Sequence, residues 1–172
     1  GSDPYNHPNT KWTDYVYRTG FMHKHNLNVS GGSEDVKYMA SAGFIGQEGT
    51  LKNSDRQQFN MRTNLDVKLS KKFDMRANMA FIHNDYSDPN ASYGGGYTQF
   101  IWQSNRMAPW IPYKKEDGTY GSISDGNPAA WIDIDSRIYY KQQNFSGSLA
   151  FDYEILDGLK FTLQGAYVTN LK

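Results

Sequence analysis

A two-residue rhythm of apolar and polar side chains runs through much of this chain, and it constrains the fold more tightly than any other feature. Between positions 59 and 69, Phe59, Met61, Thr63, Leu65, Val67 and Leu69 alternate with Asn60, Arg62, Asn64, Asp66 and Lys68, and every charge falls in the second set. The separation repeats at 73–82, where Phe73, Met75, Ala77, Met79 and Phe81 oppose Asp74, Arg76, Asn78, Ala80 and Ile82. Successive side chains of a strand point to opposite faces, so a sustained period of two specifies a strand with one apolar and one polar face. The pattern returns at 144–153 and 159–168, and in looser form at 21–30 and 36–45. Turn signals at Gly31-Gly32-Ser33, Ser70-Lys71-Lys72 and Asp157-Gly158 separate neighbouring runs. The expectation is an all-β fold, an antiparallel meander of six long strands.

Alternation alone fits both a soluble sandwich and a membrane barrel, so strand length, charge placement and connection length must decide. The runs extend about ten residues, roughly twice the usual soluble strand; at ~3.3 Å per residue and a tilt near 45° they span about 23 Å, the height of an outer-membrane apolar band. A Lys or Arg on the lipid face near mid-bilayer costs about 2–4 kcal/mol, and the last four runs keep all charges off their apolar face. Phe59, Phe81, Phe145 and Tyr167 fall at one level and Tyr38, Phe73, Tyr153 and Phe161 at the other, as interfacial girdles do. Short turns alternate with the longer connections 46–55 and 83–136, the rule for periplasmic turns and extracellular loops. These features predict part of a transmembrane outer-membrane β-barrel, its apolar face against outer-membrane lipid and its polar face, with Asn60, Arg62, Asn64, Asp66 and Arg76, toward the lumen. Six strands are too few to close such a barrel, so further strands are expected from sequence outside this stretch. The alternative is a soluble all-β carbohydrate-binding module using loop aromatics.

The remainder divides into an irregular lead-in, 1–20, with at most one helical turn near Asp14, and a strand section, 21–172, interrupted by a long extracellular loop at 83–136. Eighteen basic and eighteen acidic residues balance to zero, leaving no electrostatic footprint for nucleic acid. Cysteine is absent, which removes disulfides and thiolate chemistry. No apolar run approaches the roughly 20 residues of a membrane helix, and the first ten residues lack the pattern of a signal peptide.

The loop is dense in aromatics. Tyr97, Trp102, Arg106, Trp110, Tyr113 and Trp131, with Tyr120 beside them, are the candidate substrate-binding residues, since such side chains stack on sugar rings or grip peptides; the plainer reading gives them to the loop's own small core. His23 and His25 share a strand face, compatible with metal ligation, but no third ligand accompanies them, and no metal site is assigned. Glu116-Asp117 and Asp133 with Asp135 are read as solvated turn residues rather than a glycosidase pair. Gly94-Gly95-Gly96 lacks the Lys-Ser/Thr ending of a phosphate loop, and no serine elbow occurs. No catalytic constellation and no cofactor site emerge, so the chain is not expected to be an enzyme.

Several ordered stretches carry a resemblance: Asp3-Pro-Tyr-Asn-His-Pro-Asn-Thr-Lys-Trp12, Asp14, Arg18, His25-Asn-Leu-Asn-Val-Ser-Gly-Gly32, Tyr38-Met-Ala-Ser-Ala-Gly-Phe44, Gln47-Glu-Gly49, Asn53-Ser54 and Phe59-Asn-Met-Arg-Thr-Asn-Leu-Asp66. In these the chain resembles the SusC-like (RagA-like) family of TonB-linked outer-membrane transporters of the Bacteroidetes. The resemblance implies a 22-stranded barrel filled by a plug, a SusD-like surface lipoprotein over its outer mouth, energy from TonB through parts with no counterpart here, and import of a glycan or peptide substrate. It also offers the loop aromatics a second partner, the lipoprotein lid.

Overall fold

The structure, a computed structural model, describes residues 3–91, 96–123 and 126–172. Its strands are β1 (Met22–Gly32), β2 (Val36–Glu48), β3 (Asp55–Ser70), β4 (Phe73–Pro89), β5 (Arg137–Leu156) and β6 (Leu159–Leu171). Three helices lie between or before them: α1 (Trp12–Val16), α2 (Gly96–Arg106) and α3 (Pro128–Asp133). The strands form one sheet in the order β1-β2-β3-β4-β5-β6, each beside its sequence neighbour. That is the meander of six long strands read from the alternation, and the described residues contain one sheet rather than the two facing sheets of a sandwich.

The strands outrun the alternating segments: β3 begins at Asp55 instead of 59, β4 continues to Pro89 past 82, and β5 spans 20 residues. A ladder needs only neighbouring N–H and C=O groups, so polar stretches such as Asp55-Arg56-Gln57-Gln58 extend a strand without showing in an apolar pattern. The segment 83–136 accordingly starts within β4, and α2 and α3 interrupt it.

The chain divides into two compact units. One comprises residues 23–46, 57–85 and 140–172, the bulk of the strands. Its β5–β6 register keeps the two faces apart: Gly147, Phe151 and Tyr153 lie opposite Tyr167, Leu163 and Phe161, while Ser146, Ala150, Asp152 and Glu154 lie opposite Val168, Gln164, Thr162 and Lys160. Phe73 stacks on Phe151 at 5.7 Å and meets Tyr153 edge-on at 6.3 Å, so the apolar rows also continue across the sheet. Gly158, at φ 82°, turns the chain from β5 into β6, a conformation that glycine adopts without a Cβ clash. Many large apolar side chains of this unit are exposed, Leu27 at 66% and Leu163 at 61% among them.

The other unit gathers the described residues of 1–22, 47–56 and 86–139. Here Val16, Leu51, Ala91, Phe100 and Trp131 form one buried cluster, and Trp12, Met107 and Ala129 another. Within it, Arg18 reaches Asp55 at 2.5 Å, Arg137 reaches the same carboxylate at 2.9 Å, and Asn53 accepts from Arg137 and donates to the Ile132 carbonyl. Lead-in, hairpin connection and long connection are thereby tied together.

Candidate ligand-binding site

The long connection is organised around Asn127, which is 3% exposed. Its Oδ1 accepts from the N–H groups of Ala129 and Ala130 and so caps α3, while its Nδ2 donates to the carbonyls of Tyr113 and Gly121. Helix start and hairpin base are thus held by one amide with its donors and acceptor all used. The hairpin is closed by the Lys114–Tyr120 bridge and turned at Gly118, φ 79°.

This brings Tyr113 and Tyr120 edge to face at 5.7 Å, and both hydroxyls donate to Oδ2 of Asp133 at the end of α3. The Lys114 ammonium lies 5.1 and 4.8 Å from the two ring centres and 3.7 Å from the carboxylate. Burial raises the Asp133 carboxyl, but the two phenol donors and the Lys114 charge outweigh it, and the group lies below the ordinary carboxylate range. Burial first, then the hydrogen bond to Asp133, pushes the Tyr113 phenol upward. At neutral pH Asp133 is therefore an ionised carboxylate, held by the Tyr113 and Tyr120 hydroxyls beside Lys114.

The lead-in runs along the same connection. Thr10 takes the Pro109 carbonyl with its N–H and the Ile111 carbonyl with its hydroxyl, and the Trp12 indole donates to the Ala108 carbonyl at 3.0 Å. Tyr15 then stacks on Tyr113 with 4.4 Å between centres and 26° between planes. Between lead-in and hairpin lies a hollow of about 690 Å³, lined by Tyr5, His7, Asn9, Lys11 and Tyr15 of the lead-in and by Tyr113 and Lys114 of the hairpin. Its size falls within the range of small-ligand sites.

Of the predicted aromatic residues, only Tyr113 borders this hollow. Trp131, at 5% exposure, packs edge-on against Phe100 at 5.3 Å in the buried cluster, the place that the plainer reading, the loop's own small core, gives it. Trp102 and Trp110 stand out at 65% and 73% exposure, and Tyr97 is exposed at 42%. Arg106 turns back on its own helix, donating to Gln103 Oε1 at 3.2 Å. Asp133, read as a solvated turn residue, is instead the acceptor of the phenol cluster, whereas Asp117 caps its own turn by accepting from Thr119. Gly94 and Gly95 lie outside the described residues. Tyr5, Asn9 and Lys11 belong to a stretch that carries the family resemblance and Lys114 to no pattern; none of the four is marked as a site residue by the sequence, because the lead-in meets the hairpin across roughly a hundred positions.

Asn60, Arg62, Asn64, Asp66 and Arg76 fall on the polar side of the sheet. A Cβ on Gly43 would come within 2.7 Å of Asn60 Oδ1 and 2.8 Å of Asn26 Oδ1, placing those three on one face. Arg62 and Asn64 border a hollow of about 330 Å³ with Asn78, Ser146 and Ser148. Asp66 and Arg76 border another of about 540 Å³, where Arg76 and Thr162 both donate to the buried Asp152. On the apolar side, His23 lies 5.3 Å from His25 and 5.6 Å from Phe44. The described residues hold no group of three or more His, Cys, Asp or Glu arranged for a metal ion. None of the described helices is long and apolar enough to cross a membrane, which says nothing of the strands.

No protein-family model matches the chain. Among curated proteins it is 33% identical over 162 residues to TonB-dependent receptor P3 of Formosa agariphila, covering 89% of this chain and 16% of that protein. TonB-dependent receptor P26 of the same organism is 27% identical over 158 residues, covering 88% and 15%. TonB-dependent receptor SusC of Bacteroides thetaiotaomicron is 30% identical over 166 residues, covering 85% and 16%. A chain of the solved RagAB peptide transporter superimposes with a TM-score of 0.71 at 18% identity, covering 94% of this chain and 19% of that one, a likeness of fold. The sequence thus spans 15–16% of the length of these curated relatives. Its meander is a section of an outer-membrane β-barrel, and the chain belongs to the SusC-like family of TonB-dependent receptors.

Proposed function

We propose that the protein of which this barrel section is a part imports a nutrient, an oligosaccharide or a peptide, across the outer membrane, without covalent chemistry on its cargo. The observation that carries this reading is the 33% identity to a TonB-dependent receptor across 89% of the chain. The exposed apolar face of the strand unit supports it, because such a face is stable only against lipid or other protein. In this reading the connections 46–55 and 83–136 stand outside the cell, and Asn60, Arg62, Asn64, Asp66 and Arg76 face the lumen. Tyr97, Trp102, Trp110 and Tyr113 meet either the cargo or a SusD-like surface lipoprotein, and TonB supplies energy through parts of the receptor outside this stretch.

The test is uptake by cells expressing the full-length receptor with and without functional TonB. Growth on a sole nutrient that depends on both receptor and TonB is the expected result; accumulation that persists when TonB is deleted removes the import reading. Co-purification of a surface lipoprotein with the detergent-solubilised receptor tests the lid separately.

A further inference from the structure

We infer that the apolar face of the strand unit carries a lipid site on β4, β5 and β6, and that its occupant is a phosphorylated, multiply acylated lipid of the outer leaflet. This rests on the import reading only for which end of the strands lies outside the cell. The site begins with polar side chains where the alternation calls for apolar ones. The Glu154 N–H donates to the Lys72 carbonyl and Asn78 donates to Ser148, a register that sets Gln143 across from His83 and Lys141 across from Asp85. The amide nitrogen of Gln143 can only donate, so His83 Nδ1 accepts from it at 3.2 Å, and the His83 Nε2–H donates to Asp85 at 2.9 Å. Positions 83, 85, 141 and 143 share the face of Phe81 and Phe145, because side chains alternate along a strand. Polar groups on that face cost much at mid-bilayer and little at the interface, so this cluster marks the level of the lipid headgroups.

At that level Lys141 is exposed, and its ammonium makes no ion pair or hydrogen bond among the described residues, while Asp85 across from it is engaged by His83. Gln143 is exposed beside it with a second N–H to give. An unpaired ammonium next to an amide donor suits a phosphate at a membrane surface. Toward mid-bilayer the same face passes the rings of Phe145 and Tyr167, 6.3 Å apart, as aromatics do below the headgroups. Beyond them Gly147 lies across from Tyr167 and Gly165 across from Leu149. With Ala77 the two glycines leave a depression of about 510 Å³ bordered by Met79, Phe145, Leu149 and Tyr167, and a Cβ on Gly165 would meet nothing within 4 Å. Along β5, Gly147 lies roughly 13 Å from Gln143, so a molecule with its phosphate at Lys141 lays a hydrocarbon chain in this groove. Free phosphate would use only the outer part and a plain hydrocarbon only the inner part; an acylated phosphate uses both. In the outer leaflet of such a membrane that chemistry is the phosphorylated glucosamine lipid that anchors lipopolysaccharide.

The experiment is native mass spectrometry of the detergent-solubilised, delipidated full-length receptor titrated with lipid A, with lipid A stripped of its phosphates, and with phosphatidylethanolamine. Lys141→Gln and Gly165→Leu are made alongside, with Lys71→Gln, in the turn at the other end of the strands, as the charge-matched control; heat-modifiable migration checks that each barrel is folded. Lipid A should bind about fivefold more weakly to Lys141→Gln and about tenfold more weakly to Gly165→Leu, and as before to Lys71→Gln. Stripping the phosphates should weaken binding as much as Lys141→Gln does, and the two losses should not add. Three results overturn the inference: either site variant binds lipid A as the native receptor does, phosphate removal weakens binding equally with and without Lys141, or phosphatidylethanolamine binds as tightly as lipid A and is lost in the same variants. The import reading fails differently. A receptor that binds lipid A through Lys141 and Gly165 but accumulates cargo without TonB loses the import reading and keeps this site, whereas TonB-dependent uptake with no lipid A binding does the reverse.

Discussion

The two units of this chain solve the burial problem in opposite ways. Among the described residues, the unit built from lead-in and connections holds nearly all the buried apolar side chains: Trp12, Val16, Leu51, Ala91, Phe100, Met107, Ala129 and Trp131. The strand unit contributes Ala150, and shows Leu27, Leu163, Tyr167 and Val168 bare at over 60% exposure. Fully burying a large apolar side chain is worth about 1.5–3 kcal/mol, so the first unit draws stability from its own packing. The second has its backbone paired but its apolar face unmatched. A segment usually read as a mere connection is thus the better packed part, and the regular sheet is the part that depends on its surroundings.

Replacing Trp131 tests the first half of that contrast and should have the largest effect. Trp131→Ala removes the ring that meets Phe100 edge-on and packs so closely over Gly126 that a Cβ there would lie 2.8 Å from it. Large-to-small changes of this kind cost about 3–5 kcal/mol. Amide exchange in the full-length receptor should speed markedly across 96–107 and 127–134 while protection along 57–70 and 143–154 stays unchanged. Equal loosening of both sets would mean that the connection has no independent core.

The reverse experiment belongs to the strand unit. Leu163→Arg puts a charge on the apolar face and should cost about 2–4 kcal/mol in a bilayer, whereas Gln164→Arg, one residue on and therefore on the polar face, should cost less than about 1 kcal/mol. Folding titrations of the receptor into lipid vesicles measure both. Similar costs for the two variants would mean that the apolar face meets water or a polar partner instead of lipid.

How much of this could be read in advance follows from what a sequence pattern records. Alternation reports side-chain direction, so the two faces of β3 to β6 were legible, down to Asp152 and Thr162 sharing one side. Strand ends were not, because backbone pairing continues through polar runs such as 55–58. α2 was missed for a related reason: its buried face is Phe100, Gln103, Ser104 and, just beyond, Met107, half of it polar. Gln103 reaches the Gly126 carbonyl and Ser104 the Ile101 carbonyl, so both are satisfied where a hydropathy pattern would want leucine. Trp12, Arg18 and Asn53 were noticed only as carriers of a resemblance. Their physical role is to tie the lead-in to the connections: Trp12 through the Ala108 carbonyl, Arg18 through Asp55, and Asn53, at φ 65°, through Arg137 and Ile132. Tyr113 was legible as part of an aromatic-rich loop, while Tyr5 and Asn9 were legible only as part of the resemblance at 3–12, and their place beside Tyr113 shows only once the chain has folded back on itself.

The smallest expected effect lies in the phenol cluster and asks whether the hairpin around Tyr113 depends on charge as well as on packing. Asp133 is lowered in the folded state, so its contribution is fully present above the ordinary aspartate value near 4 and is lost as pH falls through the folded value. Tyr113 is raised, so its share is fully present below about 10 and is lost as pH rises through the folded value. Between those limits the cluster should be indifferent to pH. Because the carboxylate side chain is 36% exposed, solvent screening keeps the effect below about 1 kcal/mol. Limited proteolysis of the hairpin 113–121 reads it: cleavage should rise on acidification below pH ~4 in the native sequence, while Asp133→Asn, neutral at every pH, should show a flat and slightly higher rate. An acid-dependent rise that survives in Asp133→Asn would assign it to another carboxylate, whereas a flat profile in the native sequence would leave the hairpin's stability to Asn127 and the Tyr15–Tyr113 stack alone, making packing the common rule of the whole connection unit.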